Sequence, residues 1–252
     1  MPRSMIAATS LLAALVVVAL LPTTAAARGP LAGVTVNIDP GHNPGNAAHA
    51  SSINRIVHQG PIRKACDTTG TATNDGWPEW RFNGQLATRL ARNLRRWGAT
   101  VTWTRRNGSP AWGPCITERA AIGNKADVAI SIHADGAPSS KRGFHVIRPS
   151  FVRGWTGDIN LRSAALATKV RDALAGLRGG IPVSNYAGRR GIDARADLGG
   201  LTLSDVPKVF VEHGNMRNAR DARLLRSPLQ QERMARALAA AIVRWKLAER
   251  AG

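Results

Sequence analysis

The sequence predicts an α/β fold: a single domain built on a mostly parallel, twisted sheet of about six strands, flanked by helices on both faces. Three observations predict it. Short runs rich in β-branched residues alternate with apolar stripes at helical spacing. Of the 252 residues, 44% are hydrophobic and 20% charged, a balance that supplies a core and argues against general disorder. No internal repeat and no Pro- or Ser-rich linker interrupts the chain, so one domain is expected over residues 30–247.

The elements follow in order. Residues 1–27 read as a secretory signal peptide. Arg3 gives a positive start, residues 6–21 are apolar, and Pro22 and Ala25-Ala26-Ala27 precede a cleavage site before Arg28. The apolar stretch, about 16 residues, is shorter than the roughly 20 of a spanning helix, so cleavage is expected rather than a membrane anchor. The protein is therefore expected in the periplasm, the cell wall or outside the cell. Residues 34–38, 100–104, 128–132, 144–147 and 208–211 read as strands. Leu86, Leu90, Leu94 and Trp97 share one face of a helix that Gly98 is placed to end. Residues 118–125 form a shorter helix. Leu166, Val170, Leu174 and Leu177 make a second stripe, stopped by Gly179-Gly180, and Met234, Leu238, Ile242 and Trp245 make a third. Residues 43–78 are the longest irregular stretch, of the length that is usually functional or mobile. Residues 151–157 form a shorter one, rich in Gly and Trp.

Charge and cysteine content narrow the function. The formal net charge is +19, and the leader holds only Arg3 of it. Because the basic residues are scattered and the chain is exported, anionic envelope polymers are the expected electrostatic partners, with no nucleic acid. A monomer is expected. Two cysteines exclude a disulfide-dense scaffold and a four-cysteine zinc module. Cys66 and Cys115 enter an oxidising compartment, where a disulfide is favoured over free thiols; closing about 50 residues is worth on the order of 4 kcal/mol in the chain-entropy account. No phosphate-binding glycine pattern calls for a nucleotide cofactor.

In an open α/β sheet, ligands bind beyond the carboxyl ends of the strands. Asp39-Pro40-Gly41-His42 follows the first strand, His133-Ala134-Asp135 the third, and Glu212-His213-Gly214-Asn215 the last. Parallel strands bring His42, His133 and Glu212 to one edge, and Glu79, just before a helix, can face it. Singly, each has a plain structural role; together, two imidazoles and two carboxylates suit zinc. Asp39 either hydrogen-bonds the far nitrogen of a ligating His or caps the turn through Pro40-Gly41. His49 and His58, in the long irregular stretch, are further imidazoles within possible reach of a metal.

These segments resemble the zinc-dependent N-acetylmuramoyl-L-alanine amidases, the family of the bacterial cell-division amidases. Val36-Asn37-Ile38-Asp39-Pro40-Gly41-His42 resembles the family's opening strand and first zinc histidine, and Glu79 before Phe82-Asn83 its zinc glutamate. Glu118-Arg119, Asn124, Ala126-Asp127 and Ile130-Ser131-Ile132-His133-Ala134-Asp135 resemble the segment of the second zinc histidine. Residues 207–212 with Gly214, Asn215 and Asn218 resemble the segment of the catalytic glutamate. The resemblance implies that His42, Glu79 and His133 hold Zn²⁺, and that Glu212 acts as general base and acid. The reaction it implies is hydrolysis of the amide between the lactyl group of N-acetylmuramic acid and L-alanine in peptidoglycan. His213 and Asn215-Met216 depart from the commonest pattern, and strand alternation turns His213 away from Glu212. Two other readings stand beside this one: another zinc-dependent wall peptidase, and a non-catalytic basic protein that binds peptidoglycan or polyanions.

Overall fold

Strands form where β-branched residues alternate, and helices form where apolar residues recur every third or fourth position. The computed structural model describes Met1, residues 29–106 and residues 110–251. Apart from Met1, the expected signal peptide lies outside the described residues. In chain order the elements are β1 (Thr35–Pro40), α1 (Ala50–Ile53), β2 (Ile56–Gln59), β3 (Ile62–Ala65), α2 (Glu79–Arg96) and β4 (Thr100–Trp103). Next come α3 (Ile116–Gly123), β5 (Val128–Asp135), β6 (His145–Pro149), α4 (Asn160–Ala175) and β7 (Ile192–Arg195). The last are α5 (Gly199–Thr202), β8 (Lys208–Asn215), α6 (Ala219–Arg226) and α7 (Pro228–Ala251).

Six strands form one sheet in the order β4-β1-β5-β8-β6-β7. Every neighbouring pair is parallel except β8 and β6. Alternation divides each strand between two layers. Val36, Ile38, Val128, Ile130, Ile132, Val209 and Val211 join Phe82, Leu86, Leu90 and Leu94 of α2, Leu166 and Val170 of α4, and Leu238 and Ile242 of α7 in one core. Full burial of each such side chain is worth about 1.5–3 kcal/mol against an exposed reference. The opposite layer carries Asn37, Asp39, Ser131 and Lys208, all buried and polar, and α3 and α5 pack there. Helices thus cover both faces, long ones over the apolar layer and short ones over the polar layer.

The long stretch at residues 43–78 is only partly irregular. It holds a 3-10 turn at Ala47–His49, α1, and an antiparallel hairpin of β2 and β3. The hairpin escaped the pattern because half of its residues are exposed and none of its apolar ones is fully buried, so no alternation of apolar and polar types marks it. Cys66 follows β3 and is bonded to Cys115 at the start of α3, with their Cα atoms 4.6 Å apart. β7 was also unmarked: Ile192-Asp193-Ala194-Arg195 is short and lies at the sheet edge. The α4 helix stops at Gly176, before the Gly179-Gly180 pair, and leaves Leu177 as a partly buried residue beside the core.

Candidate metal centre

The parallel strands β1, β5 and β8 end at one edge, and the chemistry collects there. β1 runs out at Pro40, and His42 takes a left-handed backbone conformation, φ 57°, unusual outside glycine. Such strain costs on the order of 1–3 kcal/mol and persists only where surrounding contacts hold it. Here the Thr68 carbonyl accepts from His42 Nδ1 at 3.0 Å, which leaves Nε2 facing Glu79. Glu79 is the first residue of α2 and is 3% exposed. Its Oε2 lies 3.0 Å from His42 Nε2, and its Oε1 lies 2.9 Å from His133 Nδ1. Backbone N–H groups of Thr71 and Ala134 donate to the same carboxylate at 3.0 and 3.2 Å. His133, near the end of β5, is braced on its other side by Phe210, ring over ring at 3.9 Å.

One ligand atom each from His42, Glu79 and His133 lies within 4.8 Å of the others. Two glycines let the backbone come this close: a Cβ on Gly41 would sit 1.9 Å from the His133 ring, and one on Gly70 would sit 2.7 Å from Glu79 Oε2. Two imidazoles and one carboxylate in so tight a cradle fit a metal ion that takes nitrogen and oxygen ligands. The three side chains line a cavity of about 590 Å³, and Glu212 lines it too. Glu212 is paired in register with His133 across β5 and β8, but it is not one of the three converging residues. Its Oε2 is shielded and has no hydrogen-bond partner among the described residues.

The electrostatics separate these groups. Burial opposes charge on Glu79, yet His42 and His133 hold its carboxyl well below the ordinary range. Burial also opposes charge on His42, but Glu79 and Asp67 push it up to about 10. His133 is lowered, chiefly by burial. Burial, with Glu79 and Asp135 nearby, pushes the Glu212 carboxyl well above the usual carboxylate range.

Asp39 does neither of the two things expected of it. It lies under the cavity and accepts from Arg119 Nη1 at 2.9 Å, Lys208 Nζ at 3.0 Å, Ser131 Oγ at 2.6 Å and Thr104 Oγ1 at 2.7 Å. Arg119 also reaches Asp67 Oδ2 and the backbone carbonyls of Pro40 and His42, and so fixes the turn that presents the histidine. Sequence reasoning placed Arg119 in a motif without a role and missed Lys208. The only signal was a lysine within a buried strand, which is rarely buried unless paired. His49 and His58 do not approach the cluster: His49 bonds the Gly45 carbonyl, and His58 sits on β2. His213 turns to the apolar layer, as alternation predicts, where its ring meets Phe82 edge-on at 5.6 Å.

The chain and its fold are similar to known proteins. Residues 36–244 match the family model described as N-acetylmuramoyl-L-alanine amidase. An N-acetylmuramoyl-L-alanine amidase of Mycobacterium tuberculosis is 38% identical over 224 residues, 87% of this chain and 89% of the relative. Among solved structures, an N-acetylmuramyl-L-alanine amidase from Mycobacterium smegmatis superposes with a TM-score of 0.78 at 38% identity, covering 86% of this chain and 99% of that one. The apo form of one from Mycobacterium abscessus gives 0.77 at 39% identity, covering 85% and 99%.

Proposed function

The chain belongs to the N-acetylmuramoyl-L-alanine amidase family, and from that premise we propose that it hydrolyses the amide joining the lactyl group of N-acetylmuramic acid to L-alanine in peptidoglycan. The observation that carries the mechanism is the convergence of His42, Glu79 and His133 beside a cavity whose wall holds Glu212. The three would hold Zn²⁺, because three protein ligands of the imidazole and carboxylate type are the catalytic arrangement for zinc. Zinc bound there supplies Lewis acidity toward a water nucleophile and the amide carbonyl.

The remaining work falls to the chain. Glu212, on the cavity wall, takes the proton from the attacking water and returns it to the departing L-alanine nitrogen. A carboxyl raised by burial, with Glu79 and Asp135 nearby, is a stronger base than an ordinary one. Thr68, Thr71 and Ala134 fix the ligand side chains through backbone groups, so little reorganisation is needed when substrate arrives. The cavity, at about 590 Å³, lies within the usual 300–1,000 Å³ range of sites for small ligands and admits a stem peptide end.

The substrate implies a place of action in the wall or periplasm. Among the described residues no helix is long and apolar enough to cross a membrane. The net charge of +19 favours association with anionic envelope polymers. The test is mass spectrometry of purified peptidoglycan digested with and without a chelator. Free stem peptides beginning with L-alanine, produced only with metal present, are expected. Cuts within the stem would assign a peptidase instead, and no cleavage by zinc-loaded protein would favour the binding-protein reading.

A further inference from the structure

β6 runs antiparallel to β8 and opens on His145, directly opposite Glu212. Residues opposed in this way send their side chains to the same face of the sheet, with Cβ atoms about 4.5–5.5 Å apart. His145 therefore stands beside Glu212 on the polar layer, as His133 does on the other flank, where β5 pairs with β8. Val146, the next residue, pairs with Val211 and joins the apolar core, which fixes the alternation. His145 is 4% exposed, and its Nδ1 is shielded with no hydrogen-bond partner among the described residues. Glu212 Oε2 is in the same condition. The other polar groups nearby are committed. The Tyr186 hydroxyl donates to Asp135 Oδ2 at 2.9 Å, and Arg195 holds Asp197 through Nε and Nη2 at 2.8 and 2.7 Å. His133 Nδ1 lies against Glu79, and Tyr186 meets the His145 ring edge-on at 5.8 Å.

Two buried groups on opposed residues thus lack a partner, and they are complementary: a neutral imidazole carries an N–H, and a carboxylate oxygen accepts one. Burial, with Asp135, Asp193 and Arg195 nearby, lowers His145, so its ring is neutral at neutral pH. We propose that His145 is a positioning residue for Glu212: once Glu212 is ionised, the imidazole donates from Nδ1 to the shielded Oε2 and leaves the other oxygen to the attacking water. The inference rests on the reading of Glu212 as the proton carrier. A buried carboxylate with an unpaired oxygen is costly to ionise, and a bond from a neutral ring lessens that cost without adding a charge. It also fixes the carboxylate plane, so that the free oxygen is aimed and not left to rotate. Because the two residues share one step of the ladder, side-chain rotation suffices to join them and the backbone stays in place.

The experiment is steady-state hydrolysis of a soluble peptidoglycan fragment that keeps the lactyl–L-alanine amide, with zinc content and melting temperature measured for each variant. Asn places its amide nitrogen where the imidazole Nδ1 stands, Gln places it where Nε2 stands, and Leu has no donor. H145L and H145Q are expected to lower kcat by about tenfold to a hundredfold with KM and zinc content unchanged, and H145N to recover most of the loss. In an E212Q background H145L is expected to cost nothing further, because His145 acts through Glu212. H145N no faster than H145Q, or H145L slowing E212Q as much as it slows the wild type, would overturn the proposal. If H145L fails to fold, the contrast between H145N and H145Q decides alone. A slow E212Q beside a fully active H145L would overturn this inference and leave Glu212 as the proton carrier, whereas a fully active E212Q would overturn both.

Discussion

Asp39 and Glu212 lie on the same layer of the same sheet, on strands separated by β5, and are treated in opposite ways. Asp39, under the cavity floor, is surrounded by donors: Arg119, Lys208, Ser131 and Thr104 leave it no unmet need. Burial opposes its charge, but Lys208 and Arg119 hold its carboxyl well below the ordinary value. Glu212, on the cavity wall, keeps a shielded oxygen without a partner and is raised instead. A carboxylate that has all its hydrogen bonds is structural, because no proton or substrate can compete for it. One left short of them has capacity to spend on a reaction.

The sharpest way to break this contrast is to remove the satisfied carboxylate. D39A strands Lys208, 1% exposed, and takes one of two carboxylates from Arg119. Stability is expected to fall by about 3–5 kcal/mol, read from urea unfolding. A loss under 1 kcal/mol would mean that the pairing is not what holds this layer. The same reasoning sets a pH dependence. Because the folded pKa of Asp39 is depressed, its contribution is complete above the unfolded carboxylate value, about 3.9, and is lost as pH falls below it. D39N should flatten that acid limb of the stability profile.

The opposite outcome is expected at the unsatisfied carboxylate. E212Q should lower turnover by roughly 10²–10⁴-fold while metal content is kept and the melting temperature holds or rises. Full activity would remove Glu212 from proton transfer. Intermediate in size is the C66S/C115S variant, which frees the segment carrying Asp67, Thr68 and Thr71 toward His42 and Glu79. A stability loss of about 2–4 kcal/mol is expected, with weaker metal binding as a second readout. Unchanged metal affinity would show that Arg119 alone orders that segment. The smallest effect belongs to the apolar layer: I130V, on the reverse side of β5, should cost about 0.5–1.5 kcal/mol and leave kcat unchanged. A fall in kcat there would mean that the two layers are mechanically coupled.

The sequence by itself determined the parts that depend on local pattern. The stripe at Leu86, Leu90 and Leu94, and the β-branched runs of β1, β5 and β8, are periodicities a chain carries before it folds, so the α/β architecture was legible. His42, Glu79, His133 and Glu212 were legible as candidates because each follows or precedes such an element, and parallel strands have a common end. Cys66 and Cys115 were the only pair available and are bonded.

Tertiary structure alone decided the rest. No apolar residue of the β2–β3 hairpin is fully buried, so none imposes a pattern, and β7 is a sheet-edge strand of four residues, so their pairing depends on neighbours far along the chain. The partners of Asp39 lie between 65 and 169 residues away in sequence, and no spacing rule relates them. That Glu79 joins His42 and His133 while Glu212 stands apart was implied by the family resemblance and not by pattern, since the two carboxylates are alike in type and in position near a strand or helix end. Pattern reports which surface a residue faces. It carries no record of which distant groups will meet it there, and those meetings set whether a buried charge is satisfied or left reactive.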